Sequence, residues 1–390
     1  MSTIGYYDFR MPGAVRFGVN ALQTLPDEIR QRKAAKIALI SDKGVEGAGL
    51  VQKVIDLLQP LSIPMTVFTD IKGEPTFALL ESTVRNLQRE GCDLVVGIGG
   101  GSAMDVAKTT AALLDKSDLA AYLSGSAVIE SRSVPCILLP TTSGTGAEVT
   151  MNAIFGDEEQ ELKRGLVSQM LLPDVAIIDP MLTVTCPAKV TAASGVDAFT
   201  HAIESYVAVR ATPMTRMYAE KAMKLFPQHI TRAVHHGSNL EARIGMCLVS
   251  NLAGISLANA GVGAVHALAY PLGGKYHIEH GVANALLMPY VFEVTGRTCT
   301  EQMVHVAKFL QLGDFEEQPH DALDAVVRYL YRLLGELDLP SSLKQLGVDE
   351  ASLPVLAEQA SRVDRLLSNT PYKLTYDKIL SIYKKAYAGQ

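Results

Sequence analysis

The chain alternates two hydrophobic periods in its first half and keeps only one in its second. Lys36–Asp42 (KIALISD), Met65–Asp70 (MTVFTD), Asp93–Ile98 (DLVVGI), Cys136–Pro140 (CILLP) and Val175–Asp179 (VAIID) are short apolar runs that stop at polar or turn residues. That is the pattern of buried strands. Between them, Gly49–Leu58, Phe77–Glu90 and Ser102–Leu114 carry apolar residues at helical spacing. Repeated strand–helix units predict a mainly parallel sheet with helices on its faces. After Pro180 and Pro187 the pattern is helical, with long segments such as Met214–Phe226, Leu240–Ala260 and Asp321–Leu337. The expected architecture is therefore an α/β domain over 1–184, linked through Asp179–Pro187 to an all-α domain over 185–390.

The first candidate chemistry lies in Gly97-Ile98-Gly99-Gly100-Gly101-Ser102, between a predicted strand and a predicted helix. Bare backbone N–H groups and the positive end of a helix favour an anionic phosphate there. Asp42 closes the first strand of the α/β half; a carboxylate at a strand tip suits a ribose diol and repels a ribose 2′-phosphate, which favours NAD over NADP. Pro140–Thr150 (PTTSGTGAEVT) concentrates hydroxyls and glycines after another strand. It can serve phosphate or ribose oxygens, or be only a turn.

A second constellation lies in the helical half. Asp197 and His201 stand at i and i+4 in a predicted apolar helix, so both point from one face. His266 and His280 follow in the segments Ala264–Leu272 and His277–Asn284. One carboxylate and these imidazoles suffice for a divalent first-row metal, and Fe, Zn, Co and Ni all fit the donor types. His277 is expected beside this group as an outer or substrate-side residue. His229, His235, His236, His305 and His320 are expected to face solvent.

Composition narrows the classes. The 35 Lys+Arg against 41 Asp+Glu give a net charge of −6 without basic runs, so a nucleic-acid partner is not expected. No apolar run reaches the ~18 residues needed to cross a bilayer and no N-terminal targeting pattern is seen, so neither a membrane role nor export is expected and a cytoplasmic location is. The five cysteines, Cys92, Cys136, Cys186, Cys247 and Cys299, are odd in number and widely spaced, which reads as reduced thiols.

Together these blocks resemble the iron-containing, group III alcohol dehydrogenases. The matching residues are Gly99–Ser102 with Asp105 and Lys108 (GGGSAMDVAK), Pro140–Thr150, Ala193–Tyr206 (ASGVDAFTHAIESY), Gly263–Gly274 with His280-Gly281, and Asn369-Thr370-Pro371. The resemblance implies a Rossmann-like dinucleotide-binding domain followed by an all-α metal-binding domain, the dehydroquinate synthase-like architecture, with the active site in the cleft. It assigns the metal, Fe(II) first and Zn(II) as the alternative, to Asp197, His201, His266 and His280. It assigns NAD to Asp42, Gly99, Gly100, Gly101, Ser102, Asp105, Thr141, Thr142, Thr145, Thr150, Lys163 and Leu182. Two positions depart from the family pattern: Tyr270 stands where a second His is common, and Glu279 where Pro precedes the fourth ligand.

The implied reaction is reversible hydride transfer between NAD(H) and a small primary alcohol or diol and its aldehyde, with the metal as Lewis acid on the substrate oxygen. His277 and Tyr270 are the candidate proton relays; with an ordinary pKa of about 10, Tyr270 suits hydrogen bonding or substrate shaping better than base catalysis. A maleylacetate-reductase-like activity on a hydroxy or oxo acid is the alternative, with Lys275, Lys163 or Arg210 as carboxylate anchors. A dehydroquinate-synthase-like lyase ranks lower, because the cleft segments Ala192–Tyr206 and Gly263–Asn284 offer only Lys275 as a cation. A non-catalytic binding protein would have to keep both site sets idle. The resemblance also implies a homodimer or larger homo-oligomer.

Overall fold

The computed structural model describes residues 6–157 and 162–389. Six strands form one parallel sheet: β1 (Ala14–Phe17), β2 (Ile37–Asp42), β3 (Met65–Ile71), β4 (Leu94–Gly99), β5 (Cys136–Pro140) and, after a two-stranded antiparallel hairpin of β6 (Asn152–Asp157) and β7 (Leu162–Val167), β8 (Val175–Ile178). Their order is β1-β8-β5-β4-β2-β3. Helices α1 (Leu25–Arg32), α2 (Lys43–Gly47), α3 (Leu50–Leu58), α4 (Phe77–Glu90), α5 (Gly101–Leu113) and α6 (Leu119–Ser124) connect them. The central strands β4 and β5 are buried along their whole length. This is why both read as continuous apolar runs rather than alternating ones.

The strand order decides where this half can bind a ligand. From β2 the chain moves outward to β3, whereas from β4 it moves the opposite way to β5 and β8. The connections above β2 and β4 therefore diverge and leave a crevice at the carboxyl ends of those strands. Asp42 and the glycine turn sit at its two lips.

The second half consists of α7 (Ala188–Val207), α8 (Pro213–His235), α9 (Leu240–Ala260), α10 (Ala264–Tyr276), α11 (His280–Thr295), α12 (Thr300–Phe309), α13 (Pro319–Glu336), α14 (Leu353–Ser361), α15 (Asp364–Leu367) and α16 (Tyr376–Ala388). Helix α7 is buried along most of its length, packed by α8, α9 and α11. Among the described residues α9 alone is long and apolar enough to cross a membrane, but 72% of its most apolar window is buried inside the protein. It is a core helix. All five cysteines are free.

Pro140–Thr150 locks the halves together. A Cβ on Gly144 would stand 2.5 Å from Ser194 Cβ on α7, and one on Gly146, whose φ is +59°, would stand 2.6 Å from Gly254 Cα on α9. The glycines of this loop thus serve close backbone approach. At the start of the link, Asp179 accepts hydrogen bonds from the backbone N–H groups of Asn20, Leu22 and Met181 at 3.0–3.2 Å, which ties the link to the first half.

Candidate active site

Three helices bring the candidate ligands together. Asp197 and His201 project from α7, His266 from the first turn of α10, and His280 begins α11. The Nε2 atoms of His201, His266 and His280 stand 3.7, 3.8 and 3.9 Å from Asp197 Oδ1. The four donor atoms lie within 4.8 Å of one another. These separations exceed hydrogen-bond length and approach the spacing of ligands around one ion with bonds of about 2.1 Å.

The surroundings orient this set. Glu204, one turn beyond His201 on the same face of α7, accepts from His266 Nδ1 at 2.6 Å and from the Val265 backbone N–H at 2.7 Å. The His266 Nε2 lone pair is thereby turned inward, and that buried atom has no hydrogen-bond partner among the described residues. Asn284 Nδ2 donates to Asp197 Oδ1 at 2.8 Å and lies 3.1 Å from His280 Nε2. Burial pushes His280 down to about 3 and lowers His201, against the opposing Asp197 charge. Burial pushes Asp197 up, yet the facing imidazoles and Asn284 outweigh it and leave the carboxyl below its usual range. The lowered His201 and His280 beside an ionised Asp197 are in the form in which these groups bind metal. With an orphaned buried nitrogen among them, the residues fit a divalent metal.

The cluster opens into a cavity of about 360 Å³ that reaches the start of α5. Gly101, Ser102, Asp105, Thr145, Thr150 and Lys163 line it together with all four candidate ligands. Gly99 requires its glycine: φ is +154°, and a Cβ would lie 2.6 Å from Ala103 Cβ and 3.0 Å from Asp42 Oδ2. Asp42 caps α2 by accepting from Val45 N–H at 3.0 Å. Gly100 stands close to Thr142, and Thr141 N–H donates to Gly99 O at 2.9 Å. These residues border the turn outside the cavity wall.

Several expected roles change. Asp105 is a strut rather than an open acceptor: Oδ1 pairs with Lys108 Nζ at 2.9 Å and Oδ2 accepts from Ile154 N–H at 2.9 Å. Thr150 Oγ1 accepts from the same buried lysine at 3.1 Å. Leu182 is fully buried in the core beneath the sheet and offers no side-chain surface to the cavity. Lys163 does line the cavity, with its ammonium paired to Glu74. His277 ends α10 in a left-handed conformation (φ +53°), is exposed, and is not part of the cavity wall. The helix stops before His277 can turn toward the ligands, and the structure gives it no relay position. His229, expected in solvent, is half-buried against Gly245.

Tyr270 is buried in the wall, its ring 6.2 Å from that of His280. Burial raises its pKa, partly offset by Arg365. The hydroxyl therefore stays protonated near neutral pH, a donor rather than a base. Residue spacing could have pointed to Glu204, since 197, 201 and 204 share one helical face. Nothing local pointed to Asn284 or Arg365, which only the packing of α11 and α15 brings to the site.

The same chain architecture recurs in known proteins. Residues 12–180 match the family model for iron-containing alcohol dehydrogenase, and residues 191–387 match that for the C-terminal part of the Fe-containing alcohol dehydrogenase family. The chain is 39% identical to long-chain-alcohol dehydrogenase 1 of Geobacillus thermodenitrificans (strain NG80-2), over 97% of this chain and 96% of that protein. It is 31% identical to the NAD-dependent methanol dehydrogenase of Bacillus methanolicus, over 97% and 99%. A crystal structure of a 1,3-propanediol oxidoreductase superposes with a TM-score of 0.92 at 32% identity, covering 98% of this chain and 100% of that one. The α/β half and the helical half are thus two parts of one known architecture, and the chain belongs to the iron-containing alcohol dehydrogenase family.

Proposed function

We propose that the protein interconverts a small primary alcohol or diol and its aldehyde, with NAD(H) as hydride partner and a divalent metal, Fe(II) first and Zn(II) as the alternative. The observation that carries this reading is that one cavity joins the Asp197–His201–His266–His280 cluster to the N-terminal turn of α5. When bound, the metal supplies Lewis acidity to the substrate oxygen and the nicotinamide supplies the carbon that exchanges hydride. The chain's own part is placement. Gly101 and Ser102 present backbone N–H groups where a dinucleotide's phosphates can approach. Asp42, at the other lip of the crevice, suits a ribose diol and disfavours a 2′-phosphate. Glu204 and Asn284 hold the ligand side chains in one orientation. Tyr270 can hold a proton on its hydroxyl at the substrate side without abstracting one.

The same reading has the protein working in the cytoplasm as a homodimer or larger homo-oligomer, without nucleic-acid or membrane partners. The five free cysteines support a reducing compartment. The test is a panel of small alcohols and aldehydes followed by nicotinamide absorbance, with Fe(II) and Zn(II) supplied separately. Turnover with NAD(H), and less with NADP(H), is the expected result; no turnover with either metal would remove the proposal. Tyr270→Phe is expected to change KM while leaving the shape of the pH profile intact, and a lost ionisation would make Tyr270 the base.

A further inference from the structure

Two of the cavity's cations have no carboxylate beside them among the described residues. Of the acids in its wall, Glu74 faces Lys163, Asp105 faces Lys108, and Asp197 lies among the imidazoles. Two cations remain, Arg210 and Arg365, and among the described residues neither has a carboxylate partner.

Both are held in place. Arg210 follows the end of α7, and its Nε and backbone N–H each donate to Asn369 Oδ1 at 3.2 Å. Asn369 is itself buried, and its Nδ2 donates to the carbonyls of Ala260 and Val262 at 2.9 and 3.0 Å. Gly261, with φ +75°, makes room: a Cβ there would sit 2.5 Å from Arg210 Nη2. This leaves the outer nitrogens of the guanidinium available to a ligand. Arg365 lies beside the Tyr270 hydroxyl, and Tyr270 in turn neighbours His280. Burial and then the charge of Arg365 both act against the charged form of Arg210, and both residues line the same cavity wall. A pair of fixed like charges is unfavourable until an anion joins it, and planar guanidinium groups suit oxyanions in two-point contact.

We infer that Arg210 and Arg365 form an anion-recognising wall in the active-site cavity, and that the preferred substrate is a short aldehyde carrying a carboxylate or sulfonate at the end away from the reacting carbon, or the corresponding alcohol. The inference rests on the dehydrogenase reading above and narrows its substrate class. The shared chemistry is a terminal oxyanion, with the carbonyl toward the His280 side and the anion toward the arginines. Asn369 is a positioning residue acting through Arg210.

The test uses the metal-loaded full chain and NADH, with 4-oxobutanoate, 3-oxopropane-1-sulfonate, butanal and propanal as substrates. The expected result is a kcat/KM at least about tenfold higher for an anionic aldehyde than for the neutral one of similar length. Carboxylate and sulfonate arms separate the two oxyanions. Arg210→Gln and Arg365→Gln are each expected to cut the anionic-to-neutral ratio about tenfold, through KM of the aldehyde, with the KM for NADH within about twofold of the parent. Arg210→Lys should keep part of the preference, which a merely structural role would not explain. Thermal unfolding of each variant separates misfolding from lost recognition. Brisk turnover of neutral aldehydes without an anionic preference would overturn this inference and leave the dehydrogenase reading intact. An increase in KM confined to NADH would overturn it too, by assigning the arginines to the dinucleotide. No NADH oxidation with any of the four aldehydes would overturn both.

Discussion

The crevice above β2 and β4 and the cluster between α7, α10 and α11 solve the same problem, holding a charged ligand, by opposite means. The first is made of backbone: Gly99, Gly100 and Gly101 bring main-chain N–H groups to the start of α5, and a Cβ on Gly99 or Gly101 would obstruct. The second is made of side chains carried by separate helices and fixed by Glu204 and Asn284. A backbone site depends on one local turn. A side-chain site depends on the packing of the whole helical domain. Lesions in the two halves should therefore separate, and the tests below ask whether they do.

The largest effect is expected from Asp197→Ala. Loss of a ligand should abolish metal retention and lower activity by ~10³-fold or more, equivalent to several kcal/mol of lost stabilisation. Elemental analysis measures the first and steady-state turnover the second, while NADH affinity, followed by fluorescence, should persist. If NADH binding vanished as well, the separation of the halves would fail.

The next concerns the seam between them. One buried lysine, Lys108, serves two buried carboxyls, Asp105 and Glu148, and burial pushes Glu148 from 4.5 up to about 7. Because the folded pKa lies above the unfolded one, the folded state binds the extra proton between these values. Stability should thus fall as pH rises from about 4.5 to about 7, by at most ~3 kcal/mol for this group. Glu148→Gln should flatten that fall in a series of thermal melts. An unaltered slope would show that the carboxyl is ionised and otherwise satisfied.

Glu204→Gln should weaken metal affinity by about 10–100-fold, because an amide no longer accepts as a charged partner from His266 Nδ1. Competition with a chelator measures it, and the circular dichroism spectrum should be unchanged. Unchanged affinity would mean that packing alone orients His266. The smallest effect belongs to the backbone site: Asp42→Ala should reduce discrimination against NADPH about tenfold, read as the ratio of kcat/KM values. A ratio that does not move would place cofactor choice elsewhere in the crevice.

The strand–helix alternation was legible because its central strands are buried on both faces and so lack polar interruptions. The edge strand β1 was missed. It is four residues long, half exposed, and among the described residues pairs only with β8, so its sequence AVRF carries no distinct period. The hairpin of β6 and β7 was missed because its lining of the cavity, not a hydrophobic run, gives it a place. Asp197 and His201 were legible as a helix-face pair. His266 and His280 became co-ligands only when α10 and α11 folded back on α7, and the exposed left-handed cap at His277 removed a residue that lies nearer His280 in the chain than His266 does.

Sequence alone determined the two kinds of structure, the glycine turn and the four donor types, since these rest on periodicity, local backbone freedom and side-chain chemistry. Tertiary structure decided which polar groups remain open. Asp105 and Thr150 match the family's cofactor motif, yet Lys108 and the β6 backbone occupy their acceptors. Arg210 and Arg365 match no motif, yet line the cavity with no carboxylate partner among the described residues. The physical reason is that a polar side chain acts through its unmet hydrogen bonds and charge, and those depend on neighbours distant in the chain.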